Sequence, residues 1–280
     1  MKTGATIVTS LMLLFVANAQ SQTIIVPTLE HAPNFSNEDS WQDIPITTIK
    51  LRPSRPGVLT QVPEVSLKIG QYDDIIFIYA RWQDNTESTL HKPFIWNQSE
   101  QKYKKGPQRE DRLVFQFEIS GDYTTQWDSG QEFTADTWHW KAARSQPLGL
   151  AHDKHLTASQ QRRPRAYEMK TPSGKPIYIS RLSDRGRALY NARRYSAKQA
   201  DIMPKYILAN TPPTGSIADI KSTAHWQNGE WHVKLWRKLD TGHDDDVQFI
   251  KGQKISAGIA IFDHSPDDDH VISPTLSFQF

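Results

Sequence analysis

The stretch Ala224-His225-Trp226-Gln227-Asn228-Gly229-Glu230-Trp231-His232-Val233-Lys234-Leu235-Trp236-Arg237 reads as a β-hairpin. Apolar and polar residues alternate on both sides of Asn228-Gly229, and that pair supplies the positive φ angles a tight hairpin turn needs. Downstream, Ile255 to Phe262 is a nearly continuous apolar run, the pattern of a central strand buried on both faces. Val271 to Phe280 alternates Ile, Leu and Phe with polar residues and reads as a closing strand. Upstream, Val65 to Ile69 and Ile75 to Trp82 read as strands joined through Gly70 and Asp73-Asp74. Arg112 to Ile119 is another, with Leu113, Phe115 and Phe117 on one face. Strands at both ends of the chain predict an all-β fold, a single β-sandwich.

Between the two strand-rich ends, residues 121–213 are rich in Arg and hold prolines at 147, 164, 172, 176, 204, 212 and 213. This block reads as a long, loop-rich, partly helical insertion over one edge or face of the sandwich, with a short helix over Arg185 to Ala200. Residues 1–19 read as a secretory signal peptide: Lys2 is the positive start, Ile7 to Val16 the apolar stretch, and Ala17-Asn18-Ala19 the small-x-small cleavage site. Residues 20–280 are then one domain, expected in the periplasm. The apolar stretch is too short for a bilayer span.

Among the 280 residues there is no cysteine, and there are nine tryptophans. Zero cysteine excludes disulfides, thiolate zinc sites, Fe–S clusters, a Cys nucleophile and covalent C-x-x-C-H haem attachment. H-E-x-x-H, G-x-S-x-G, Walker-type and dinucleotide-binding signatures are absent, which argues against an independent hydrolase. A net charge of +2 gives no footing for bulk nucleic-acid binding. Its distribution is uneven. Lys154 to Lys205 carries thirteen Lys/Arg against three acidic residues, which reads either as solvated loops on a large fold or as a docking surface for an acidic redox partner or an anionic ligand. Two aspartate runs, Asp244 to Asp246 and Asp267 to Asp269, offer hard oxygens of the kind Ca²⁺ takes but read as solvated turns.

The most distinctive string is Asp136-Thr137-Trp138-His139-Trp140-Lys141-Ala142-Ala143-Arg144. On a strand, Trp138 and Trp140 share one face while His139 and Lys141 share the other. The two tryptophans form a flat apolar wall, serving either the sandwich core or one side of a pocket for a planar ligand such as a porphyrin or a sugar ring.

This string, in order with Phe77 to Asp84, Glu110 to Leu113, Gly149 to Asp153, Trp226 to Trp231 with Arg237 to Leu239, and Gly258 to Asp263, resembles the haem-binding domain of ethylbenzene dehydrogenase type. That domain is shared with certain c-type cytochromes and the gamma subunits of DMSO reductase-family enzymes. The resemblance implies a β-sandwich, similar also to family 9 carbohydrate-binding modules, that holds one haem between sandwich and loops and passes electrons. In c-type relatives a C-x-x-C-H segment precedes the Trp-His-Trp string; here Thr124 to Phe133 holds no Cys, His or Met. The resemblance therefore points to a noncovalent b-type haem, with no haem c.

Gamma-subunit relatives ligate iron through a Met and a Lys at positions this chain does not match. After Phe262-Asp263 the chain offers His264 and His270, of which His270 is the first choice for axial ligand. His139, Lys141, Met169 and Met203 are the options for the second. Trp138 and Trp140 would line the ring, and Arg144, Arg162 or Arg163 would pair with the propionates. The expected partner is a redox protein of acidic surface or a larger oxidoreductase complex, with no nucleic acid and no membrane span. The alternatives are a haem-free binding module stacking a sugar on Trp127, Trp138 and Trp140, or an accessory subunit on the same scaffold.

Overall fold

The computed structural model describes residues 22–280; the segment read as a signal peptide lies outside the described residues. Thirteen strands carry the architecture: β1 (Gln22–Ile25), β2 (Thr47–Lys50), β3 (Glu64–Tyr72), β4 (Ile75–Gln83), β5 (Arg112–Gly121), β6 (Phe133–Lys141), β7 (His152–Ser159), β8 (Tyr167–Lys170), β9 (Pro176–Ser183), β10 (Lys221–Gln227), β11 (Glu230–Lys238), β12 (Lys254–Phe262) and β13 (Leu276–Gln279). The large sheet runs β1-β13-β12-β5-β6-β7-β9-β8 and the small one β10-β11-β4-β3-β2. Every pairing is antiparallel except β1 with β13.

The predicted hairpin is β10–β11, with Gln227 opposite Glu230, and its turn residues Asn228 and Gly229 take φ of 54° and 78°. Ile255 to Phe262 falls in β12, which lies between β13 and β5. The closing segment breaks into Val271–Ile272 and β13, because Pro274 interrupts the ladder. Gly70 is inside β3 and not in the turn. A Cβ there would come within 2.8 Å of Leu29, so the glycine makes room for a neighbouring loop.

The middle block departs from its sequence reading. β6, β7, β8 and β9 all belong to the large sheet, so the long excursion of this block away from it is residues 184–215. The apolar alternation there, Phe133/Ala135, Leu156/Ala158 and Ile177/Ile179, is short and uses small residues, which hid it among prolines that mark the turns. The helix expected over Arg185 to Ala200 does not form, and no α-helix occurs among the described residues. Gly186 takes φ of 139° and passes so close to Thr214 that a Cβ would lie 1.9 Å from its carbonyl oxygen. No described helix is long and apolar enough to cross a membrane.

The core lies between the sheets. Leu113, Phe115, Phe117, Trp138 and Trp140 of the large sheet meet Ile78, Ala80, Trp82, Trp231 and Val233 of the small one, all buried. A polar clamp closes one region of this interface. Arg237 on β11 donates Nη1 to Asp136 on β6 at 2.6 Å and Nη2 to the Val247 carbonyl at 2.6 Å. Its Nη1 is 3.8 Å from Asp153 on β7 and 3.7 Å from Asp246, and all four side chains are fully buried.

Burial pushes the Asp246 carboxyl up to about 7, against the pull of Arg237. The folded state therefore keeps this proton to about pH 7, whereas an unfolded aspartate loses it near pH 4. Between those values the folded state binds more protons, so this group's contribution to stability falls as pH rises. Asp246→Asn removes the dependence. Its Tm relative to wild type should rise by several degrees between pH 5 and pH 8, measured by calorimetry; a gap that stays constant would contradict the assignment.

Candidate functional site

Strand alternation that sends Trp138 and Trp140 inward sends His139 and Lys141 outward. On that outer face lies a cavity of about 800 Å³. Its floor comes from Val114 and Gln116 of β5, Thr137, His139 and Lys141 of β6, and Gly258, Ala260 and Phe262 of β12. Tyr123 to Asp128, Tyr167 and Met169 of β8, Tyr190 and Tyr206 of the 184–215 excursion, and Asp267 to His270 supply the walls. The volume is within the ordinary range for a cofactor or small-molecule site.

Two imidazoles stand on the floor without partners. His270 stacks on Phe262 at 4.4 Å between ring centroids, and His139 lies 6.3 Å from the same ring. Nε2 of His139 and Nδ1 of His270 are buried with no hydrogen bond. Burial, then the nearby Lys141 and Arg112, pushes His139 well below the usual histidine range. Burial with Arg112 and Arg181 lowers His270 to about 4. Both rings are therefore neutral near pH 7, and neutral imidazole is the form that ligates a metal.

Lys141 is equally unusual. Its Nζ is buried, 2.7 Å from His152 Nδ1, and donates to Tyr190 Oη at 3.1 Å, while His152 Nε2 lies 2.9 Å from Ser183 Oγ. Burial, with Arg144 and Lys154 beside it, holds this amine well below the normal lysine range.

Cations line the cavity in excess. Arg112 is held by Asp267 at 2.5 Å and the Ser265 carbonyl at 2.7 Å, and its guanidinium lies 3.9 Å over the Phe262 ring. Arg144 donates Nε to the fully buried Glu110, whose other oxygen accepts the Ala143 and Arg144 backbone N–H groups at 2.7 and 3.0 Å. Tyr190 and Tyr206 flank that guanidinium at 5.5 and 5.2 Å. Lys154 and Arg181 line the cavity and form no ion pair with any described residue.

The residues singled out in the sequence thus separate. His139, Lys141, Arg144, His270, Met169 and Trp127 line the cavity. Trp138 and Trp140 do not: both are fully buried in the core, where Trp140 meets Trp231 at 5.0 Å and Trp82 at 6.2 Å. They are a wall of the sandwich and not of the pocket, because the sheet's inner face must be filled by large apolar groups. His264 takes φ of 35° and is an exposed turn residue paired with Asp263, outside the cavity. Met203 pairs with Phe94 in a peripheral strand away from the lining, and Arg162 and Arg163 are exposed. The sequence reading passed over Arg112, Lys154, Arg181, Phe262 and Tyr190. Alternation across from Leu113, Phe115 and Phe117 already placed Arg112 on the opposite face, the one available signal.

These features define an all-β sandwich with a cation-rich cavity on the outer face of its large sheet. The chain belongs to the ethylbenzene dehydrogenase family, whose sequence model matches residues 38–271. No curated protein matches it. Among solved structures, a family 9 carbohydrate-binding module from Caldicellulosiruptor kristjanssonii in complex with glucose has 8% identity and a TM-score of 0.40, with 92% of this chain and 95% of that one covered. The same organism's module in complex with cellotriose gives 10% identity and 0.38, with 91% and 84% covered. A candidate carbohydrate-binding protein from Bacteroides uniformis gives 8% and 0.40, with 93% and 100% covered.

Trp140→Ala should cost about 3–5 kcal/mol of unfolding free energy by urea titration, as a core truncation does. A loss below about 1 kcal/mol would place the ring outside the core.

Proposed function

We propose that the cavity binds one noncovalent b-type haem and that the protein transfers electrons in the periplasm, as a redox protein or as a subunit of a larger oxidoreductase. One observation carries this reading: two neutral imidazoles, His139 and His270, stand on the cavity floor with buried nitrogens that no protein group satisfies. A neutral imidazole that makes no hydrogen bond inside the protein is free to turn toward a bound group, and neutral imidazole is the form that ligates iron. Bound haem would supply a one-electron iron couple.

The chain's own residues fit the task of holding such a group. Both histidines have Phe262 as a neighbour, and His270, in closer contact with that ring, is the first choice for the axial bond. Met169 is the thioether that lines the cavity. Arg144, fixed by Glu110, and the unpaired Lys154 and Arg181 suit carboxylates such as propionates. Val114, Ala260, Phe262 and Ile272 give the floor its apolar contact area. Exposed Arg193 and Arg194 on the neighbouring excursion suit docking to an acidic redox partner, an association that should weaken with salt.

Titration of the purified protein with haemin should give a Soret band saturating at one equivalent. His270→Ala should shift the band and weaken binding at least tenfold, while His264→Ala leaves both unchanged. A protein that takes up no haem, or whose spectrum survives both His270→Ala and His139→Ala, would end this reading. Quenching of Trp127 by a sugar in a colourless protein would instead place the chain among binding modules.

A further inference from the structure

We propose that Glu38, His225 and His232 form a site for one first-row divalent transition-metal ion of zinc's ligand preference, on the outer face of the small sheet. This face is opposite the one that carries the cavity with respect to the core, so the site is independent of haem. His225 on β10 and His232 on β11 are directly paired across the hairpin, and their side chains point away from the core. Their rings stack at 4.6 Å with 13° between planes. Glu38, in the 3-10 turn Glu38–Trp41, brings its Oε1 to 3.3 Å from His232 Nδ1 and 3.8 Å from His225 Nε2. One donor atom from each residue lies within 4.8 Å of the other two.

Tetrahedral zinc bonds nitrogen and oxygen at about 2.0–2.2 Å, which puts its ligands about 3.3 Å apart. The two Glu38 distances, 3.3 and 3.8 Å, are close to that spacing, and rotation of the half-exposed His225 ring out of the stack would bring its nitrogen to the same point. Two nitrogens and one carboxylate leave a fourth position for water, the arrangement of an open zinc site.

The surroundings suit the role. Glu230 Oε2 lies 3.5 Å from His232 Nε2, so a carboxylate backs the ring on the side away from the three donors, as it commonly does for metal-binding histidines. Tyr79 Oη donates to Glu38 Oε1 at 2.8 Å and lies 2.7 Å from His232 Nδ1, and an ion bound to those two atoms would take the place of these contacts. Lys234 Nζ is 4.0 Å from Glu38 Oε1 but is engaged by the Phe35 carbonyl at 2.8 Å. The side chains of His225 and Glu38 are each 47% exposed, so an ion reaches the site from solvent without any opening of the fold.

The test is zinc titration of the chelator-stripped full chain against a chromophoric competitor, with cobalt absorption reporting coordination. One equivalent of Zn²⁺ should bind with micromolar affinity. His225→Ala, a half-exposed position whose loss leaves the core untouched, should weaken binding by tenfold or more, and Glu230→Gln by about tenfold. His243→Ala, in a separate His–Asp cluster, should change nothing. Absence of binding in the wild type, binding that survives His225→Ala, or binding lost in His243→Ala would each overturn the proposal. Haemin uptake measured on the same variants should match wild type, so the outcome is read separately from the haem assignment.

Discussion

One buried guanidinium governs how the two sheets meet. Arg237 reaches from the small sheet into a cluster of three aspartates, two of them on adjacent strands of the large sheet. Asp136 Oδ2 accepts from Arg237, from the Val247 N–H at 3.1 Å and from Trp138 Nε1 at 3.3 Å. This ties a strand, a loop and an aromatic core residue to a single oxygen. Burial works against the charge on Arg237, but the three carboxylates outweigh it and raise its pKa. Desolvation offsets much of the attraction within such a group, but removing one partner leaves a buried charge uncompensated and is strongly destabilising.

The clamp has a direct consequence for the cavity through strand register. Asp136, Trp138 and Trp140 share one face of β6, so anchoring Asp136 against Arg237 turns both tryptophans into the core. His139 and Lys141 must then face outward. A slip of one residue would exchange the two sets and bury a lysine among aromatics. The chemistry of the outer face is thus set by an interaction on the inner one.

Much of what carried the family resemblance turns out to be scaffolding of this sort. Asp111 accepts from the Trp231 indole at 2.9 Å, the Ser88 N–H at 2.8 Å and the His264 N–H at 2.8 Å. Glu110 holds the Ala143–Arg144 backbone and the Arg144 side chain. Buried carboxylates that gather three donors fix loops in place, and the groups lining the cavity inherit their positions from them.

The strands, the Asn-Gly hairpin and the alternation that separates Trp138 and Trp140 from His139 and Lys141 were determined by the sequence alone, because pleat and turn chemistry act between near neighbours. Which of those two faces meets the other sheet was not. The choice came from packing against the other sheet, where the Trp138 and Trp140 face meets Trp82 and Trp231 and Asp136 meets Arg237, about a hundred residues away along the chain. The same holds for the middle block, whose strands have too little apolar contrast to be recognised until they pair with one another and with β5, and for Arg112, Lys154 and Arg181. Their common cavity exists only because separate strands and the loops between them converge on one face. Local sequence sets the direction of each side chain; long-range packing decides what that direction meets.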